Sequence, residues 1–124
     1  MQISTDQNNN MTHAAKILLS LMIIVELYVS LKPFDGIATI TNFDKLMHFG
    51  MYAANAVVAA LAFPVARSYV LALLLLFLLG PLIEFLQHFS PGREASVFDQ
   101  LANTAGLFAG ALFSRLLLLR KKIV

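Results

Sequence analysis

From Tyr69 to Phe89 the chain runs without a lysine or an arginine, and its centre, residues 71–80, reads LALLLLFLLG. About 20 apolar residues of helix are needed to cross a bilayer core of about 30 Å, and this stretch supplies them. Three further stretches qualify. Ala14–Leu31 carries Lys16 near its start and Glu26 inside; Met47–Phe63 is rich in alanine and stops at Pro64; Gln100–Leu119 runs into Arg120, Lys121 and Lys122. Together they account for 76 of the 124 residues. Hydrophobic residues make up 59% and charged residues 13%, which excludes a soluble globule, a disordered chain and a nucleic-acid-binding module. With no cysteine, a disulfide scaffold, a thiol nucleophile and a cysteine zinc site are excluded as well.

The expected fold is all-α: a transmembrane four-helix bundle (residues 14–119) between a polar N-terminal tail (1–13), read as a loosely ordered extension, and a basic C-terminal tail (120–124). Strands of a membrane barrel would alternate with a period of two, and these segments do not. Met47–Phe63 would make a poor lone span because of Asn55, but its small residues favour close approach to neighbouring helices in lipid. The first stretch has no small-residue cleavage pattern behind it, only Leu31-Lys32-Pro33, and reads as an uncleaved anchor rather than a secretion signal.

Charge sets the expected orientation. Four spans put the N-terminus, the 64–68 turn and the C-terminus on one side with Lys16, Arg67, Arg115, Arg120, Lys121 and Lys122 against Asp6. The other side holds Lys32, Lys45 and Arg93 against Glu26, Asp35, Asp44, Glu84, Glu94 and Asp99. The excess of lysine and arginine places both termini in the cytoplasm, with the basic C-terminal cluster as an anchor on anionic lipid.

The unexpected polar chemistry gathers on the outer side. Asp44, His48 and Tyr52 repeat every four residues and share one helix face, as do Glu84 with Gln87 and His88, and Asp99 with Asn103 and Leu107. An ionisable group within a span is costly and is expected to face the bundle interior and pair; for Glu84 the candidate partners are Lys45, Arg93 or a protonated His48. The short 90–96 loop makes the third and fourth helices neighbours and brings Glu84 and Asp99 into one small volume. Ala102, Gly106, Gly110 and Ser114 form a small-residue stripe suited to close packing, inside the bundle in preference to a homo-oligomer.

These residues together resemble the VanZ-like family of small membrane proteins. The resemblance is carried by Leu31-Lys32-Pro33, by Asp44-Lys45-Leu46-Met47-His48-Phe49 with Tyr52, by Glu84, Gln87, Arg93, Ser96, Asp99 and Ala102-Asn103, and by Gly106 and Gly110. It covers Leu31 to about Gly110. The family is named for a member associated with low-level resistance to the glycopeptide teicoplanin, so the resemblance implies a role in the bacterial cell envelope without a settled reaction or substrate.

The foremost functional reading is an extracytoplasmic polar site, in a multi-pass protein of the plasma membrane, that binds or acts on an envelope lipid or glycolipid head group. Arg93 would be the anion contact, assisted by Lys45. Glu84 and Asp99 would supply general-base chemistry, with His48 as proton shuttle and Asn103 and Gln87 orienting the carboxylates. Asp44, Tyr52 and Ser96 complete the candidate binding set. No nucleophile motif accompanies these residues; Ser96 lacks a glycine elbow. The alternatives are a polar clamp in which Glu84–Arg93 and Asp44–His48 satisfy one another, and an intramembrane hydrolase or transferase with zinc on His48, Glu84, His88 and Asp99. Solute transport would need oligomers, four short helices leaving little room for a pathway. The primary reading calls for no metal or cofactor; its partners are membrane lipids and an envelope head group, and no nucleic acid.

Overall fold

A computed structural model of the protein describes residues 5–33, 43–94 and 96–123. It contains four helices, α1 (Thr5–Leu31), α2 (Phe43–Ala62), α3 (Ala66–Gln87) and α4 (Val97–Ile123). Asp35 and residues 1–4 of the polar tail lie outside the described residues, as do the side chains of the Arg120–Lys122 cluster. The all-α class and the four helices agree with the apolar stretches. Two of the helices, α1 and α3, are long and apolar enough to cross a membrane.

The helix ends differ from those read in the sequence, for local reasons. The polar tail is not a loose extension where it is described: α1 already begins at Thr5. Once a helix is nucleated, each added residue gains a backbone hydrogen bond at little cost, and Asp6 in the first turn suits the positive end of the helix dipole. At the other end Pro33 stops α1, and Pro64 stops α2 just after a last bond from Phe63 N–H to the Ala59 carbonyl. The segments α2 and α4 start earlier than their apolar runs, at Phe43 and Val97. Asp44 and Asp99 therefore sit in first turns, where a carboxylate is favoured.

The bundle is apolar outside, and its interior sets polar groups among buried alanine and leucine. Ile17, Ile24 and Tyr28 of α1, Leu75 and Leu78 of α3, and Phe108 and Leu112 of α4 are all exposed, while Glu26, Ser30, Asn55, Gln87, Asp99, Asn103 and Ser114 are buried. In water that arrangement would be reversed. It matches a lipid solvent, which accepts leucine and excludes carboxylates and amides.

Helix α2 is the hub. It packs against α1, α3 and α4, whereas α1 and α4 do not meet among the described residues. Its Ala56, Ala59 and Ala62 are fully buried, and small side chains on every inward face let three partners approach. The closest partner is α4. A Cβ placed on Gly106 would collide with the Phe49 carbonyl, and one on Gly110 with the Ala53 carbonyl. The small-residue stripe thus seats α4 on α2 within one chain. Ser114 returns its hydroxyl to the Gly110 carbonyl at 2.8 Å, so it too adds no unpaired polar group to this seam.

Replacing Gly106 or Gly110 by valine should destabilise the detergent-solubilised protein by about 1–3 kcal/mol, because backbone must move to relieve the overlap. Gly50→Ala, where nothing lies within 4 Å of the new methyl, should leave thermal unfolding unchanged or raise its midpoint. Unfolding followed by circular dichroism checks both.

Candidate functional site

The α3–α4 connection is built around a tight turn. Arg93 N–H donates to the Ser90 carbonyl at 3.2 Å, and Gly92 between them has φ 74°. Pro91 and Gly92 thus occupy the two central positions of a type II turn, whose third residue needs positive φ and so favours glycine. This turn aims three side chains at the end of α1. Gln87 Nε2 donates to the Ser30 carbonyl (3.0 Å), Ser90 Oγ to Leu31 (2.7 Å), Arg93 Nε to Lys32 (3.1 Å) and Arg93 Nη2 to Val29 (2.9 Å). A helix leaves its last carbonyls without intrahelical partners. Here every carbonyl from Val29 to Lys32 accepts from the turn, and the guanidinium stands at the negative end of the dipole.

Glu84 serves the neighbouring helix. Its Oε2 accepts from the Ser96 backbone N–H at 2.7 Å. Ser96 in turn lends its carbonyl to the N–H groups of Asp99 (3.1 Å) and Gln100 (3.3 Å) at the start of α4. The sequence pointed to a side-chain cation as the partner of Glu84; the structure supplies the positive end of α4 instead. Glu84 Oε1 is buried without a hydrogen-bond partner among the described residues.

Next to these contacts, α2 and α4 bring five polar side chains together. His48 Nδ1 lies 3.0 Å from Asn103 Oδ1. An amide oxygen can only accept, so Nδ1 is the donor of this contact and Nε2 is the ring atom left to face the acids. That atom stands 3.9 Å from Asp44 Oδ1 and 3.9 Å from Asp99 Oδ2. Lys45 Nζ is 3.7 Å from Asp99 Oδ1, an ion pair too long for a hydrogen bond. Asp99 is buried and Oδ1 accepts no hydrogen bond; Asp44 is largely exposed.

Beside the histidine a cavity of about 150 Å³ opens between α1, α2 and the α3–α4 turn. Glu26, Asp44, His48, Gln87 and Arg93 line it together with Val25, Val29, Met47 and Met51. Glu26 is fixed by Asn55, whose Nδ2 donates to Oε2 at 2.8 Å. Tyr52, one helical turn beyond His48, is buried, and its hydroxyl, like Gln87 Oε1, has no hydrogen-bond partner among the described residues.

Compared with models of protein families, residues 1–119 match the one described as VanZ/LLP1. The chain belongs to the VanZ/LLP1 family. No curated protein and no solved structure matches it.

In this VanZ/LLP1 chain the polar residues singled out in the sequence divide by what they touch. Asp44, Lys45, His48, Asp99 and Asn103 converge across α2 and α4. Glu84, Gln87, Arg93 and the Ser96 backbone bind helix ends. His88, considered as a zinc ligand with Glu84, is exposed and has its Nδ1 against the Glu84 carbonyl at 3.1 Å. Among the described residues, those whose ligand atoms come close enough to share an ion are Asp44, His48 and Asp99. Glu26 and Asn55 were read only as interruptions of their spans, yet they meet in the interior and Glu26 lines the cavity. A carboxylate and an amide within two different apolar stretches was the available signal, since such groups pair when they enter a membrane.

Arg93→Ala should lower stability by about 1 kcal/mol, below the range of about 1.5–3 kcal/mol for hydrogen bonds to charged groups because these bonds are exposed to solvent, and should speed amide exchange in the last turn of α1. Arg93→Lys should recover only part of the loss, because an ammonium cannot place two donors in a fixed fork. Exchange mass spectrometry on the purified protein measures both.

Proposed function

We propose that this protein spans the bacterial plasma membrane with all four helices, and that its polar end holds the head group of a cell-envelope glycolipid. The observation that carries this reading is the mixed lining of the cavity. Valines and methionines line it beside carboxylates, a histidine, an amide and a guanidinium. An amphiphile entering sideways from the bilayer finds both surfaces it needs. The cavity is small and open on one side, so it takes the terminal group of a larger molecule and leaves the chains in lipid.

The charges favour a hydroxyl-rich head group. Glu26 and Asp44 line the cavity and Asp99 stands behind His48, so acceptors dominate and sugar hydroxyls are the donors that suit them. Lys45, partly exposed, provides a charge for a phosphate at the rim. His48 Nε2 is the base placed to take a proton from a bound hydroxyl, with Asn103 holding the ring. The excess of lysine and arginine at the opposite end puts both termini in the cytoplasm and this site outside it, in keeping with an envelope role.

A second reading, a polar clamp without a ligand, draws on the contacts of Gln87, Ser90 and Arg93 with α1. With Asp44 beside His48 it accounts for the contacts of the cluster but gives no use to the cavity that these residues line.

Lipid mass spectrometry of protein extracted gently from its own membrane separates the two. The glycolipid reading expects a hydroxyl-rich anionic or neutral glycolipid enriched over the surrounding membrane. It also expects that enrichment to fall at least about tenfold in Met51→Trp, which fills the cavity while keeping every polar group. Bulk phospholipid alone in both proteins would leave the clamp as the function of this end. An extracytoplasmic reporter that is active when fused after Val124 would reverse the orientation.

A further inference from the structure

We propose that Asp44, His48 and Asp99 form a binding site for one divalent transition-metal ion. The inference goes beyond the head-group reading, replaces the base role of His48 Nε2 in it because one lone pair takes either a proton or a metal ion, and stands on its own geometry. One nitrogen and two carboxylate oxygens, one from each residue, lie within 4.8 Å of one another. The two carboxylates come from the first turns of different helices, α2 and α4, and both face the same imidazole nitrogen. The two carboxylates repel each other unless a cation lies between them.

Two further observations point to a ligand. Asp99 is 5% exposed; its Oδ2 faces His48 Nε2, and its Oδ1, toward Lys45 Nζ at 3.7 Å, accepts no hydrogen bond among the described residues. A buried carboxylate left this way is costly unless something binds it. His48 is also held as metal-binding histidines are. Its Nδ1–H is fixed on Asn103 Oδ1 at 3.0 Å, which sets the tautomer and presents Nε2 outward.

The spacing is slightly open for an occupied site. Donors about 2.0–2.2 Å from a zinc ion in a tetrahedral set lie roughly 3.4 Å apart, against the 3.9 Å from Nε2 to each carboxylate oxygen. Closing that gap falls to Asp44, whose side chain is 57% exposed, while Asp99 and His48 stay packed. One imidazole and two carboxylates suit zinc or manganese better than calcium or a thiolate-seeking ion. Three protein ligands leave a further coordination position, the pattern of catalytic sites. Asp44 and His48 both line the cavity, so that position opens onto it.

Lys45 makes the site testable from two directions. It neutralises part of the charge on Asp99, and removing it should strengthen metal binding, whereas removing a ligand should weaken it. Untagged protein in detergent is stripped with chelator and titrated with Zn²⁺ and with Mn²⁺, and bound metal is counted by elemental analysis. Co²⁺ serves as a visible-absorption reporter of the coordination shell. One equivalent per chain is expected, with affinity at least about tenfold weaker in Asp44→Asn and tighter in Lys45→Gln. Asp44 and Lys45 are surface-accessible, so both variants should fold, and a thermal melt verifies it. His88→Gln, which alters an exposed histidine outside the cluster, should change nothing. Absence of stoichiometric metal in the wild type, or affinity unchanged in Asp44→Asn, overturns the site. Glycolipid retention is measured on separate samples, so either idea can fail alone.

Discussion

In lipid the ends of a helix have no water to bond, and helices gain nothing from hiding leucine against leucine. Both difficulties meet at one end of this bundle, where α1 and α3 finish and α2 and α4 begin. The carbonyl end of α1 needs donors, and the amide end of α4 needs an acceptor. One short turn answers both. Its Ser90 and Arg93, with Gln87 just before it, cap α1, and Glu84 accepts from the backbone leading into α4. The Pro91-Gly92 pair sets the direction of that turn, so a local backbone preference fixes how helices far apart in sequence are joined.

The same constraint explains why the interior is polar without being random. Close packing of α4 on α2 needs glycine at 106 and 110, and it brings the first turns of those helices side by side. Asp44 and Asp99 are each favoured in a first turn by the helix dipole. Packing the two helices together then places two acids beside one another, a juxtaposition neither helix would choose alone. His48, Lys45 and Asn103 are what make it tolerable.

Much of this was legible in the sequence. Apolar length gave four helices, the four-residue spacing gave one face of α2 that runs from exposed Asp44 through His48 to buried Tyr52, and the glycine stripe gave internal packing. The VanZ-like pattern seen in scattered residues is the family shown across residues 1–119. Other features were out of reach because they involve the backbone. Side-chain charges suggest that Arg93 and Glu84 seek each other or another ion, whereas the structure turns Arg93 to carbonyls and Glu84 to an amide. Main-chain partners carry no signature in residue type. The Glu26–Asn55 pair was missed for a different reason: its members lie on separate helices, and spacing within a helix says nothing about which residues face each other across two.

That division bears on how the end of the bundle works. Groups that satisfy helix termini are already committed, and a ligand reaching them would have to replace a bond that holds α1 or α4 in place. The α2–α4 cluster is different. There Nε2 of His48 and Oδ1 of Asp99 have acceptor capacity left over, and the groups opposing them, Lys45 and Asp44, are accessible enough to move. The clamp lends rigidity to the cluster from two sides, through Gln87 and Arg93 along the cavity wall and through Glu84 at the start of α4. A rigid polar frame around a few under-used acceptors is the arrangement expected where binding, and not only folding, has shaped the residues.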